Sequence, residues 1–283
     1  MDNYILPSKD LLDANKKELE AKRYYSLAKL ILKKDLTNSL VIPIGVDEQK
    51  EKYYIDLKNI SGIFIGGETG SGKSVFLDSL IVSLLMKNTP SDLKFLFIDP
   101  NKVELSEYSS IPHLISNVAY DVNDALESFQ RIINITNERI RMFSSKGVKS
   151  IEQYNSQTEN KLAHIIIVID ESADIMKSDS TMSKLKQILK NGKSLGIHLI
   201  LATNAYFARD FDKEFINMFT YVLSFDLASH DQAKFINLKD SNLLKVAGEA
   251  LVKVNNDMSK IQTPYISDDE INRVVEFIKN NNE

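Results

Sequence analysis

The stretch Ile63-Phe64-Ile65-Gly66-Gly67-Glu68-Thr69-Gly70-Ser71-Gly72-Lys73-Ser74 constrains this chain more than any other. It reads as an apolar strand, a glycine loop and a helix opening at Lys73. Gly67, Gly72, Lys73 and Ser74 satisfy G-x-x-x-x-G-K-[ST], the phosphate-binding pattern. Glycines let the backbone wrap so that successive N–H groups point at phosphate oxygens. Lys73 supplies a mobile charge for the β- and γ-phosphates, and Ser74 offers a hydroxyl to Mg²⁺. The helix that follows aims its positive end at the same anion. A random chain of this length meets the pattern roughly once in a hundred. The strand before it, and Leu77, Leu80, Ile81, Leu84 and Leu85 at helical spacing after it, make chance a poorer account still. The expected nucleotide contacts are Gly67, Glu68, Thr69, Gly70, Ser71, Gly72, Lys73, Ser74 and Val75.

A strand–loop–helix of this kind needs a sheet to sit in, and the rest of the chain supplies one. Leu40–Ile44 and Lys52–Ile55 alternate around Gly45-Val46-Asp47-Glu48, which predicts a hairpin. Lys94–Asp99, His164–Asp170, Ile197–Thr203, Tyr221–Phe225 and Ala250–Val254 read as further strands. Helices are expected at 13–34, Val122–Phe143, Lys184–Leu195 and from a capping box at Ser267–Glu270 to about Lys279. The strand at 164–170 is apolar throughout, as in a sheet covered on both faces. Such alternation implies a three-layer α/β fold with a mainly parallel central sheet.

Asp170-Glu171 closes the strand at 164–170 after five β-branched residues. An acidic residue there faces the loop and can hold the Mg²⁺ that Ser74 also touches, giving Ser74 and Asp170 as the metal pair. Glu171 is placed to take a proton from attacking water. Asn204, just past the next strand, is a candidate sensor of water or γ-phosphate. Asn101-Lys102-Val103-Glu104 stands in the wrong place, with the wrong last residue, for a guanine-reading N-K-x-D. Six arginines against 29 lysines argue against the arginine-rich lid of a small-molecule kinase. A hydrolytic ATPase fits best, with Lys73, Glu171 and Asn204 as its catalytic set and ATP and Mg²⁺ as its ligands.

Composition narrows the setting. The chain has no cysteine, so it forms neither disulfides nor thiolate metal sites. It has no apolar run near the ~18 residues that span a bilayer, and Met1-Asp2-Asn3-Tyr4 has no basic signal-peptide start. The expectation is a cytoplasmic location. A net charge of −4 argues against wholesale polyanion binding, though a local basic channel remains compatible with it. Lys184, Lys186, Lys190 and Lys193 make one basic run, read as a solvated face first and a phosphate-contacting face second.

Beyond the loop, Phe97-Ile98-Asp99-Pro100, Glu104-Leu105, Tyr108, Ile111-Pro112-His113-Leu114, Gly147-Val148 and Tyr154-Asn155 form a longer pattern. Ile169-Asp170-Glu171 with Ala173-Asp174, and Gly196-Ile197-His198-Leu199 with Leu201-Ala202-Thr203, complete it. In order and spacing, from about residue 40 to 279, it resembles the motor core of the FtsK/SpoIIIE DNA translocases. The resemblance implies a RecA-like ATPase acting as a homo-oligomeric, hexameric ring around double-stranded DNA, in the transfer of chromosome, plasmid or mobile-element DNA. It implies a motor domain at 40–283 and an N-terminal extension with a helix at 1–39, a shortened family subdomain. A membrane-protein partner would recruit a chain without a membrane segment of its own.

The departures from the family shape the alternatives. Ala205 and the stretch Asn217-Met218-Phe219-Thr220-Tyr221 lack the arginines usual there, leaving Arg139, Arg141 and Arg209 as candidate fingers in trans. The family's membrane-spanning N-terminus and DNA-reading winged helix have no counterpart, so translocation without sequence-directed polarity is expected. The alternatives are a type VII secretion-like ATPase that moves a polypeptide and a weakly active nucleotide-binding scaffold.

Overall fold

A computed structural model of the chain describes residues 4–13, 25–31, 40–170, 175, 179–204, 211–254 and 257–281. Its strands are β1 (Tyr25–Ser26), β2 (Val41–Asp47), β3 (Lys52–Asp56), β4 (Gly62–Gly66), β5 (Leu93–Ile98) and β6 (His164–Ile169). They continue with β7 (Ile197–Thr203), β8 (Tyr221–Ser224), β9 (Glu249–Val254), β10 (Asp257–Gln262) and β11 (Pro264–Tyr265). The helices are α1 (Leu27–Leu30), α2 (Lys73–Leu85), α3 (Val122–Lys146), α4 (Ile151–Ser156), α5 (Asp179–Leu195), α6 (Lys213–Asn217), α7 (His230–Phe235) and α8 (Asp268–Asn281).

Nine strands form one sheet in the order β3-β2-β10-β9-β8-β4-β7-β6-β5. The five from β8 to β5 are parallel, and the other four continue the sheet in antiparallel pairing. The mainly parallel sheet expected from the sequence is thus the five-stranded part that carries β4. β4 lies between β7 and β8, with Ile65 opposite both Ala202 and Leu223. The chain leaves β4 toward β5 on one side and returns to β8 on the other. A crevice opens at the carboxyl ends of strands where the order reverses in this way.

Alternate residues of the parallel strands enter two cores. Ile63, Ile65, Phe95, Phe97, Ile166 and Val168 pack with α2 and α8 on one face. Phe64, Leu96, Ile98, Ile167, Ile169 and Leu199 pack with α3 and α5 on the other. The strands lack apolar–polar alternation because both faces are covered, which gives the three-layer α/β fold.

Three elements differ from expectation. Helix α2 is buried nearly all round, and Ser79 and Ser83 within it donate back to the carbonyls of Phe76 and Leu80. It is enclosed because the sheet, β11 and α8 all pack against it. Strand β10 is unforeseen, since Asp257-Met258-Ser259-Lys260 has no apolar alternation; it pairs with β9 along six residues and with β2 at two. The helix expected over 13–34 lies mostly outside the described residues. Where described, Tyr25–Ser26 is extended and pairs in parallel with Pro264–Tyr265, and Leu27–Leu30 is a single helical turn.

Candidate active site

The site begins where β4 ends. The Gly67 N–H donates to Thr203 O at 3.3 Å and the Glu68 N–H to Asp226 O at 2.8 Å, so the loop leaves the sheet tied to both neighbouring strand ends. Gly70 and Gly72 have φ of +78° and +103°, a conformation that side-chain-bearing residues rarely take. Gly72 also meets Gly248, whose N–H donates to Ser71 O at 2.8 Å; a Cβ at Gly72 would lie 2.6 Å from that nitrogen. No side chain caps α2 at Gly72, so its first-turn N–H groups, which lack intrahelical acceptors, open onto the crevice.

That crevice holds a cavity of about 550 Å³, of the size that ligand sites have. Glu68, Thr69, Gly70, Gly72, Lys73, Ser74 and Val75 line it from the loop, and Asp170 and Asn204 from the ends of β6 and β7. Gly67 and Ser71 shape it from behind: a Cβ at Gly67 would lie 2.8 Å from both the Phe225 Cβ and the Ser71 Oγ. The Lys73 Nζ stands 3.9 Å from Asp170 Oδ1, with the two side chains only 5% and 2% exposed. A buried pair of this kind is costly unless a ligand or further partners complete it. Backbone N–H groups, a lysine, a hydroxyl and a carboxylate are the donor set that a triphosphate with Mg²⁺ requires, and the residues fit both.

Four further residues, not expected in the site, line the cavity, although Glu104 stands in the longer sequence pattern. Asn101, Val103 and Glu104 come from the loop after β5, and Ala247 from the turn before β9. Only strand order brings these segments to the phosphate loop. Glu171, Arg209 and the Ala173-Asp174 pair lie outside the described residues.

The rest of the longer pattern is architectural. The Tyr108 hydroxyl, fully buried, donates to Asp78 Oδ1 at 2.9 Å, tying the 3-10 turn at Ser106–Tyr108 to α2. Burial raises the Asp78 pKa well above the carboxylate range against that hydrogen bond, and Glu104, Glu107 and Asp170 add to the rise. Asn155 pairs both ends of its amide with the Leu162 backbone, at 2.9 and 2.8 Å. His113 and His198 bond to the carbonyls of Asn88 and Ile60.

Arg139 is excluded as a finger in trans. It is buried and donates to the carbonyls of Leu195 and Ala163, and burial lowers its pKa to about 10. Arg141 is exposed on α3. In the basic run, Lys184 donates to Ser180 and Lys186 pairs with Asp212 at 3.0 Å. Lys190 and Lys193 line an open groove with Lys58 and Glu152. Among the described residues no cluster of metal-ligating side chains is found, and no helix is long and apolar enough to cross a membrane.

The chain is 30% identical over 260 residues to the DNA translocase FtsK of Helicobacter pylori strain J99, covering 86% of this chain and 30% of that protein. It is 31% identical over 258 residues to the DNA translocase SftA of Bacillus subtilis strain 168, covering 85% and 26%. It therefore spans about a third or less of the curated relatives it matches. Among solved structures, EssC (ATPases 2 and 3) from Geobacillus thermodenitrificans superposes with a TM-score of 0.77 at 21% identity, over 86% of this chain and 49% of that one. The pCW3 conjugation coupling protein TcpA, solved with ATPγS, gives 0.73 at 24% identity, over 88% and 72%. Both share the three-layer P-loop fold. The sequence profile of the FtsK/SpoIIIE family matches residues 32–209, and the chain belongs to that family.

Proposed function

We propose that this chain is the motor of an ATP-driven double-stranded DNA translocase, with 40–283 as its motor domain and 1–39 as an extension. The observation that carries the reading is the buried Lys73–Asp170 pair, set at the open end of an uncapped helix in a triphosphate-sized cavity. Membership of a family whose relatives bear the name DNA translocase supports DNA as the substrate.

In this reading the N–H groups of the loop and the Lys73 ammonium hold the phosphates, and Ser74 and Asp170 hold Mg²⁺. When bound, the metal neutralises charge on the phosphate oxygens. Glu171 accepts the proton of the attacking water, and Asn204, in the cavity lining, orients water or γ-phosphate. A cation from a neighbouring copy completes the site in a homo-oligomeric, hexameric ring, since no arginine lines the cavity among the described residues. The setting is the cytoplasm, with a membrane-protein partner for recruitment.

The test is phosphate release against protein concentration, with and without linear duplex DNA, beside Lys73→Ala. The expected result is a rate steeper than linear in protein, raised by DNA and abolished by Lys73→Ala. A Lys73-dependent rate indifferent to DNA would overturn the DNA reading in favour of a polypeptide-moving ATPase.

A further inference from the structure

The cavity holds a carboxylate that the phosphate-binding motifs leave unused. β5 and β6 run parallel with Ile98 opposite Ile169, and the Asp170 N–H donates to Ile98 O at 3.0 Å. The loop leaving β5 therefore emerges beside the Asp170 wall of the cavity, and it carries Glu104 into the lining. Three described carboxylates line the cavity: Glu68, Glu104 and Asp170. Asp170 lies against Lys73, and Glu68 accepts a hydrogen bond from the Ala228 N–H at 3.2 Å. Glu104, half-buried, makes no ion pair among the described residues.

Its position is fixed from both sides. Lys102 turns the chain at a φ of +59°, its N–H donating to Asp99 O at 3.1 Å. Immediately after Glu104, the Leu105 N–H donates to the buried Asp99 Oδ2 at 3.0 Å. Three residues further, Tyr108 is bonded to Asp78, one helical turn beyond Ser74 on α2. The Glu104 backbone is thus pinned to the end of β5 and to the helix that the phosphate loop opens. Glu104 and Asp170 both line the cavity, from the neighbouring ends of β5 and β6.

In phosphoryl transfer to water the protein's main contribution is positioning, because little covalent chemistry is left for it to do. An anchored carboxylate without a cation, in the same lining as Lys73 and Asp170, is an acceptor for a water O–H. We propose that Glu104 is a further catalytic residue, which holds the attacking water by accepting one of its hydrogen bonds while Glu171 takes the proton. This rests on the reading of the cavity as an ATP-hydrolysing site.

The test compares wild type, Glu104→Ala, Glu104→Gln and Lys73→Ala in steady-state phosphate release with duplex DNA. It adds titration with a fluorescent ATP analogue and thermal unfolding. Glu104→Ala should lower kcat about tenfold or more, the scale of a lost positioning contact. KM, analogue affinity and unfolding temperature should stay near wild type. Glu104→Gln should recover part of the rate, since its amide oxygen still accepts. A kcat for Glu104→Ala within about twofold of wild type would overturn the proposal, as would a parallel loss of analogue affinity, the mark of a binding role. A wild type without Lys73-dependent turnover would overturn the reading of the site and the proposal with it.

Discussion

Gly72 meets two separate demands, a φ of +103° and a close approach to the Gly248 backbone, and either alone excludes a side chain. Gly72→Ala is expected to abolish nucleotide binding and to cost about 1–3 kcal/mol of stability, read by titration with a fluorescent ATP analogue and by thermal unfolding. Binding and unfolding both like wild type would mean that the loop relaxes without Gly248. Residues of this kind are legible in a sequence, because a phosphate fixes the spacing of the glycines, the lysine and the hydroxyl that hold it. Asp170 was legible for a related reason, as the polar end of an uninterrupted apolar strand. Glu104 stands in the longer pattern without a role and Ala247 in no pattern, because nothing local to their loops encodes the strand order that brings them into one lining with Lys73. Arg139 misled in the other direction: its sequence shows a charge, and only packing shows that carbonyls consume it.

At the scale of elements, the parallel half of the sheet was readable from its apolar runs, and the antiparallel half only in part. The β2–β3 hairpin announced itself by alternation, but its turn lies at Asp47–Lys50 and not at Gly45–Glu48, because Gly45 and Val46 still pair with Tyr53 and Lys52. Strand β10 is held by its neighbours and not by its own pattern. The burial of α2 is likewise a property of what surrounds it. Helix α8 supplies one of those neighbours, and Glu270 fastens it. Its buried carboxylate accepts from the Ser267 N–H and hydroxyl at 2.9 and 2.8 Å, and from the Asp13 N–H at 2.6 Å. Half of the capping box read from Ser267–Glu270 is therefore formed, and its acid also reaches the N-terminal segment. Arg273 adds a donation to Leu11 O at 2.9 Å. Glu270→Ala leaves buried donors without an acceptor, each worth on the order of 1–3 kcal/mol. A lower unfolding temperature and faster proteolysis before residue 13 are expected, with ATP-analogue affinity retained. Unchanged proteolysis would show that Leu12 and Arg273 alone hold the segment.

Over the whole molecule, three buried histidines outside the cavity lining shape its response to acid. Burial lowers His113 and His198 from the ordinary 6.5 to about 4, and His164 to about 3. Geometry explains why the neutral forms belong in the fold. His198 donates from Nδ1 to Ile60 O at 2.9 Å, so its Nε2 is the acceptor facing His164 Nδ1 at 3.3 Å. A proton on that Nε2 would set two N–H groups head to head. His113 bonds Asn88 O through Nε2, and its buried Nδ1 has no partner among the described residues, so a proton there would be stranded. Arg139 adds positive charge near both His164 and His198. Below the ordinary value the unfolded chain takes up protons that the folded chain refuses, so stability falls as the pH falls. Asp78 works in the opposite sense, because its raised pKa makes the folded state bind a proton first. Asp78→Asn removes that counterweight. In this variant the urea midpoint should be level above about pH 7.5 and should decline between about pH 6.5 and 5, above the range of ordinary carboxylates. Wild type should decline less steeply over the same interval. A midpoint level through that interval in Asp78→Asn would mean that the three rings accept protons in place, against the packing that holds them neutral.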